Sequence, residues 1–222
     1  MFRAPEVLLE SRGPSGSSAI ILTPIDADGI PSALRTFAAG VRNPDARRVL
    51  AAIAETSAER AQGELASAHK QEALALARSL GMRVRSDQSP APFGWDGALL
   101  SDQTEAYVLL HEIAHYQLAP AERRGLIEFG LGPGPDTRDI EGAESAAVLS
   151  GTERDREEAM ASLLGILWEV RLRQPALASF LDQNWLEGVA GGRAARHFTS
   201  VLQSLRDEGF VNAEARPTLR LR

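Results

Sequence analysis

The chain contains no cysteine. That absence excludes disulfides, thiolate nucleophiles and Cys-ligated metals, so any metal ion must be held by His, Asp and Glu. Histidine is scarce too, with four in 222 residues. No apolar run approaches the roughly 18 residues that a membrane span needs. The start Met1-Phe2-Arg3-Ala4-Pro5-Glu6 lacks a signal-peptide pattern, so the expected location is cytoplasmic. Basic residues are outnumbered by acidic ones, 24 against 30, for a formal charge of −6. That balance disfavours partners bound through excess Lys and Arg, so neither nucleic acid nor a membrane surface is expected. What remains, 44% hydrophobic and 24% charged, is the composition of a globular chain with one sizeable domain or two small ones. No internal repeat or low-complexity tract is present, and nothing in the pattern fixes an oligomeric state.

Two of the four histidines stand one helical turn apart in Tyr107-Val108-Leu109-Leu110-His111-Glu112-Ile113-Ala114-His115-Tyr116. Positions i and i+4 share a helix face, so His111 and His115 can aim two nitrogens at one ion about 2.0–2.1 Å away. Glu112 flanks that face, where its carboxylate can act as general base on a water held by the metal, the mechanical content of an HExxH motif. Val108, Leu109, Leu110, Ile113, Ala114 and Leu118 make the segment apolar on nearly every side, as in a buried helix. Histidines in such a helix need polar partners or a metal; the plainer reading is a pair of hydrogen-bonded core histidines.

The surrounding pattern predicts a mainly α-helical protein with a small β element, a zincin-like helical metalloprotein domain. Residues 1–17 carry little periodicity, and Ala19–Pro24 is the best strand candidate. A helix is predicted from Pro31 to about Val41. Asn43-Pro44-Asp45 then starts a long helical pattern that runs to Leu80, divided or bent at Gly63, with His69 read as a surface residue. Met82–Arg85 reads as a short edge strand, and 86–97 as a loop whose Phe93 and Trp95 either line a cleft or plug the core. Ser101 or Asp102 can cap the motif helix, predicted over 104–118. A further helix begins with Thr152 as cap and runs to about Arg173, followed by helices near 176–186 and 194–207. The predicted organisation is an N-terminal helical region with a short strand (1–100) packing on the core, a metal-binding domain (101–213) and a loose tail (214–222).

Two histidines hold an ion poorly, so a third ligand is expected, with one or more positions left open. A carboxylate is the natural choice. The helix at Thr152 supplies Glu153, Glu157 and Glu158, and its acidic start joins directly onto a buried apolar run. The residues alone leave these three open.

The segment Glu157-Glu158-Ala159-Met160-Ala161-Ser162-Leu163-Leu164-Gly165-Ile166-Leu167 resembles the third-ligand helix of thermolysin-like gluzincin peptidases. That resemblance implies Glu158 as the ligand, and it places Ser162 where those enzymes usually have an Asp orienting a histidine. A longer resemblance runs through His111-Glu112-Ile113-Ala114-His115-Tyr116, Ala121-Glu122-Arg123-Arg124, Glu128-Phe129-Gly130, Pro135-Asp136 and Leu186-Glu187-Gly188. At nearly these spacings the bacterial elongation factor P hydroxylase family shows HE-x-x-HW, a double arginine, DFG, PDG and a C-terminal counterpart. It covers about His111 to Gly188. It implies a metal on the two histidines and a carboxylate, hydroxylation of a modified lysine on the translation factor, and substrate-facing roles for Arg124, Phe129 and Asp136. The chain departs from that family at Leu131-Gly132-Pro133-Gly134, where the family has aromatic residues, and at Thr137, which replaces the PDG glycine.

Three readings follow. The first is an oxygen-dependent, Fe(II)-using hydroxylase of a protein or peptide, with elongation factor P as the implied substrate. The second is a Zn(II) peptidase or hydrolase with Glu112 as general base; His197 would be its downstream catalytic donor, although a solvated or capping histidine is the commoner role. The third, ranked last, is a module in which a metal staples two helices, since structural zinc sites usually fill four positions, often with Cys.

Overall fold

A computed structural model describes residues 6–12, 18–24, 27–86, 91–134, 137–186 and 192–222. It is mainly helical with two small two-stranded sheets, as the sequence pattern predicts. Strand β1 (Glu6–Arg12) pairs antiparallel with β2 (Ser18–Pro24), in a register running from Glu6 opposite Pro24 to Arg12 opposite Ser18. Of this pair only β2 is predicted from the sequence.

Helix α1 (Ile30–Gly40) is followed by α2 (Pro44–Ala54), which starts where the Asn-Pro-Asp signal places it: the Asn43 side chain accepts hydrogen bonds from the Asp45 and Ala46 N–H groups at 2.8 and 3.1 Å. The long helical pattern up to Leu80 is divided before Gly63, as its sequence predicts, although the break spans eight residues rather than one. After α2 the chain runs irregularly and resumes as α3 (Gly63–Ser79), with Gly63 at its first residue in the left-handed region, φ +57°. The reason for the break is tertiary. The Thr56 hydroxyl and the Ser57 carbonyl accept from the N–H groups of Leu177 and Ala178, at 2.8 and 3.2 Å. These open the helix α8 (Ala176–Asp182), and a helix start leaves such donors without partners of its own.

Strands β3 (Arg83–Arg85) and β4 (Leu99–Ser101) form a short parallel pair. Because Ser101 is taken up in β4, the motif helix α4 (Ala106–Leu118) starts later than predicted, with Glu105 as its cap residue. Short α5 (Ala121–Arg124), a 3-10 turn (Ile127–Gly130) and α6 (Ile140–Ala146) lead to α7 (Gly151–Leu172). Ser150 stands at the cap position of α7, and Thr152 lies inside the helix. After α8 comes α9 (Arg193–Asp207). Among the described residues, no helix is long and apolar enough to cross a membrane.

The core is continuous across the predicted boundary at residue 100. Phe37 of α1 meets Phe180 and Phe198 edge-on, at ring separations of 5.5 and 5.7 Å, and one apolar cluster joins Ile53, Ala77, Leu110, Leu164 and Leu202. Helices α4 and α7 cross at its centre. Gly165 allows this, since a Cβ there would lie 3.3 Å from the backbone of His111 and from the Leu110 carbonyl oxygen.

Two expectations are corrected here. His69 is buried on α3, because the alanine-rich face packs closely and the Gln174 side chain donates to the His69 carbonyl at 3.1 Å. The tail is anchored rather than loose. The fully buried Gln117 amide donates to the carbonyls of Thr218 and Arg220, both at 2.8 Å, while its oxygen accepts from the Trp168 indole at 2.8 Å. The Arg222 N–H adds a bond to the Gln117 carbonyl. Replacing Gln117 with leucine should cost about 1–3 kcal/mol for the indole N–H left without a partner. Trypsin should then cut after Arg220 faster than in the parent chain; equal cleavage rates would show that the tail is held by something else.

A second buried group sets a pH dependence. Burial pushes the Glu169 carboxyl up to about 7, although Ser179 and the guanidinium of Arg60, 3.3 Å away, favour its charged form. The folded chain therefore binds this proton more tightly than the unfolded chain, whose ordinary value is 4.5. Its contribution is fully present below that value and is lost as pH rises through about 7. The melting temperature of the parent relative to Glu169→Gln should fall over this interval, and a difference flat in pH would refute the assignment.

Candidate metal centre

Helix α4 presents His111 and His115 on one face, and α7 brings Glu158 opposite them. The two Nε2 atoms lie 3.1 Å apart, and the Glu158 Oε2 is 3.6 Å from His111 Nε2 and 3.4 Å from His115 Nε2. Ligands about 2.1 Å from one ion lie roughly 3.0–3.4 Å apart at octahedral or tetrahedral angles, so the triangle has the size of a coordination face. These three are the His, Asp and Glu group, among the described residues, whose ligand atoms converge closely enough to hold an ion. The Nδ1 atoms of both histidines are buried without hydrogen-bond partners in the structure. The donor set and its spacing thus fit a divalent ion.

The electrostatics agree with the geometry. Burial alone would raise the Glu158 carboxyl, yet hydrogen bonds and charge from the two imidazoles hold it far below the usual carboxylate range. Burial pushes His111 down. The same burial acts on His115, but hydrogen bonding to Glu158 and the negative charge of Glu158, Glu112 and Glu157 outweigh it and raise it. Access is one-sided. The Glu158 side chain is 40% exposed and that of His111 25%, against 4% for His115, so the site opens over Glu158 and is closed behind His115.

Of the alternative ligands, Glu153 is exposed at the start of α7 and contributes no ligand atom to the group. Glu157 is buried and ion-paired with Arg123, with its Oε1 4.0 Å from His115 Nδ1. Glu112 packs its carboxyl against Gly94, where an added Cβ would come within 3.2 Å of it, and its charge acts on His115.

Two of the expected substrate-facing residues have partners within the fold. Phe129 is 1% exposed, stacked between Trp95 at 5.4 Å and His115 at 5.8 Å, so it supports the His115 ring. Arg124 donates to the carbonyls of Tyr116 and Arg222 at 3.1 and 2.7 Å, tying the motif helix to the tail. Asp136 lies outside the described residues. His197 stacks on Trp185 at 5.6 Å and lines a groove of about 280 Å³ between α7 and α9, together with Asp155, Arg156 and Met160. None of the three candidate ligands lines that groove, so His197 is not assembled with them.

Sequence reasoning passed over Glu128. Its buried carboxyl accepts from the Gly94 N–H at 3.0 Å and the Thr137 hydroxyl at 3.1 Å, and burial raises its pKa. Glu128 and Phe129 both occupy the left-handed region, at φ 45° and 54°, a conformation that costs about 1–3 kcal/mol for each such residue. Arg123 donates to the Phe129 carbonyl at 2.9 Å, and the Glu128 N–H donates to that of Trp95 at 2.9 Å, which holds the turn in place. Its only sequence signal was its position directly before Phe129-Gly130.

Comparison of the chain with protein-family models, curated proteins and solved structures found no match. The site is therefore read from its own geometry.

Gly165→Val provides a test of that geometry. Its side chain would meet backbone atoms of α4, which cannot move aside independently, so the helices must separate at a cost of about 1–3 kcal/mol. The melting temperature should drop by roughly 2–4 °C per kcal/mol for a chain of this size. An unchanged melting temperature would mean that α4 and α7 do not meet at Gly165.

Proposed function

We propose that this chain is a single-metal enzyme whose divalent ion is held by His111, His115 and Glu158, and that it hydroxylates a protein or peptide side chain using Fe(II), oxygen and an external two-electron reductant, one oxygen atom entering the C–H bond and the other leaving as water. The observation that carries the metal reading is the convergence of two imidazoles and one carboxylate within ligand distance of one another, open on one side. Two histidines and a carboxylate are the ligand set of non-haem Fe(II) oxygenases. The hydroxylase resemblance gains support from where its residues lie. Arg123 grips both Glu157 and the Phe129 carbonyl, and Phe129 stacks on His115, so the spacing shared with elongation factor P hydroxylases belongs to the scaffold of this site.

When bound, the ion would supply Lewis acidity and, as Fe(II), a redox couple. The chain supplies the rest. The Trp95, Phe129 and Tyr116 rings wall off water behind His115, leaving approach over Glu158 and His111. Elongation factor P is the substrate that the resemblance implies.

A second reading, a Zn(II) hydrolase of peptides or amides, is favoured by Glu112. Its carboxyl adjoins the site without ligating, as a group that takes and returns a proton there would.

Elemental analysis of protein purified without added metal, followed by anaerobic Fe(II) loading and oxygen admission, tests both. His111→Ala and His115→Ala should abolish metal binding. Glu112→Gln should retain the ion; in the hydrolase reading, peptide cleavage by that variant's zinc form should fall by about 10²–10⁴-fold. The hydroxylase reading expects one added oxygen, seen by mass spectrometry, on lysine-modified elongation factor P with the Fe(II) form and a two-electron reductant such as ascorbate, and inhibition by zinc. No added oxygen, together with peptide cleavage by the zinc form, would establish the hydrolase instead.

A further inference from the structure

Resting on the metal reading above, we propose that Glu157 is the positioning carboxylate of His115, receiving the Nδ1 proton and fixing the tautomer and ring angle with which Nε2 faces the ion. Two buried polar atoms face each other here without partners. His115 Nδ1 and Glu157 Oε1 are 4.0 Å apart, each lacks a hydrogen bond, and the residues are 3% and 6% exposed. Orphaned buried groups of this kind are rare, because each forfeits its hydration without compensation. Closing the gap by about 1 Å would satisfy both.

The direction of the bond follows from the chemistry of imidazole. A histidine that ligates through Nε2 is neutral and must carry its remaining proton on Nδ1, which makes that atom a donor. Glu157 Oε1 is the acceptor facing it. The two Nε2 atoms lie 3.1 Å apart, both turned toward the side where Glu158 stands.

The other carboxylate oxygen is already engaged. Oε2 is ion-paired with Arg123, and the Arg222 guanidinium stands 3.9 Å away, so Oε1 is left to point at the ring. Phe129 stacks on one face of the His115 ring and limits its tilt. The role expected at Ser162 is thereby filled from one position before the ligand Glu158 rather than four after it. Ser162 instead accepts from the Trp185 indole at 2.8 Å.

The test compares zinc affinity, by titration against a competing chelator, in the parent chain, Glu157→Gln and Arg123→Gln. Both substitutions remove the Arg123–Glu157 ion pair, and Arg123→Gln also removes the bond to Phe129, so it is the harsher structural change. Glu157→Gln should weaken zinc binding by about 10–100-fold, and Arg123→Gln by much less. Equal losses, or no loss in Glu157→Gln, would overturn the proposal. A second measurement needs no variant: ¹⁵N-histidine NMR of the zinc-loaded parent should show His115 protonated and hydrogen-bonded at Nδ1 and metallated at Nε2. Metallation at Nδ1 would overturn the proposal with the metal reading intact. A parent chain that takes up no zinc or Fe(II) would bring down the metal reading itself.

Discussion

With no side chain at Gly165, the backbone of α7 comes within van der Waals reach of the residue that carries the first imidazole, and everything polar in the centre depends on that approach. Glu158 lies about two turns before Gly165 on α7, and His115 one turn after His111 on α4. Two helices pressed together at one point thus bring three ligand atoms to a spacing set by the crossing. A larger residue at 165 would move the carboxylate away from the imidazoles by about the width of its side chain. The apolar residues around the crossing, Leu109, Leu110, Ile113 and Leu164 among them, are fully buried and supply the force that holds it shut.

Burying imidazoles and carboxylates against that apolar wall is costly unless each finds a partner. The fold answers with a chain of contacts reaching well beyond the helices. Arg123 joins Glu157 to the strained turn at Glu128 and Phe129, and Glu128 joins that turn to Gly94, which presses on Glu112. Trp95 stacks on Phe129 and donates to the Arg124 carbonyl, while Arg124 and Gln117 bind the tail. The loop before the motif helix, the turn after it and the C-terminal residues are in this sense one support for His115. Strain at two consecutive left-handed residues persists because so many bonds converge on them.

The sequence made the centre legible because its signal is local. A helical repeat alone puts His111 and His115 on one face, and Asn43-Pro44-Asp45 alone starts a helix, since capping bonds span only two or three residues. The Glu153, Glu157 and Glu158 cluster on the helix after Ser150 was legible as a source of carboxylates, and so was the burial of both long apolar helices. Gly63 stood out as a break for the same reason, being the residue whose backbone accepts positive φ without strain.

What only the tertiary structure decided are the choices among equivalent local signals. Three glutamates within six residues have the same chemistry. Helix rotation against α4 aims Glu158 at the imidazoles, turns Glu157 to Arg123 behind them and leaves Glu153 in water. Arg124 and Phe129 carried a substrate-facing expectation in sequence and became a tail anchor and a ring support, because their partners Arg222, Trp95 and His115 lie from 14 to 98 residues away. The tail at 214–222 has the composition of a loose end and is held by Gln117, a residue with no sequence mark beyond its place on the motif helix. Local pattern sets which groups a segment can offer; distant packing, which no window of sequence contains, sets which of them meet.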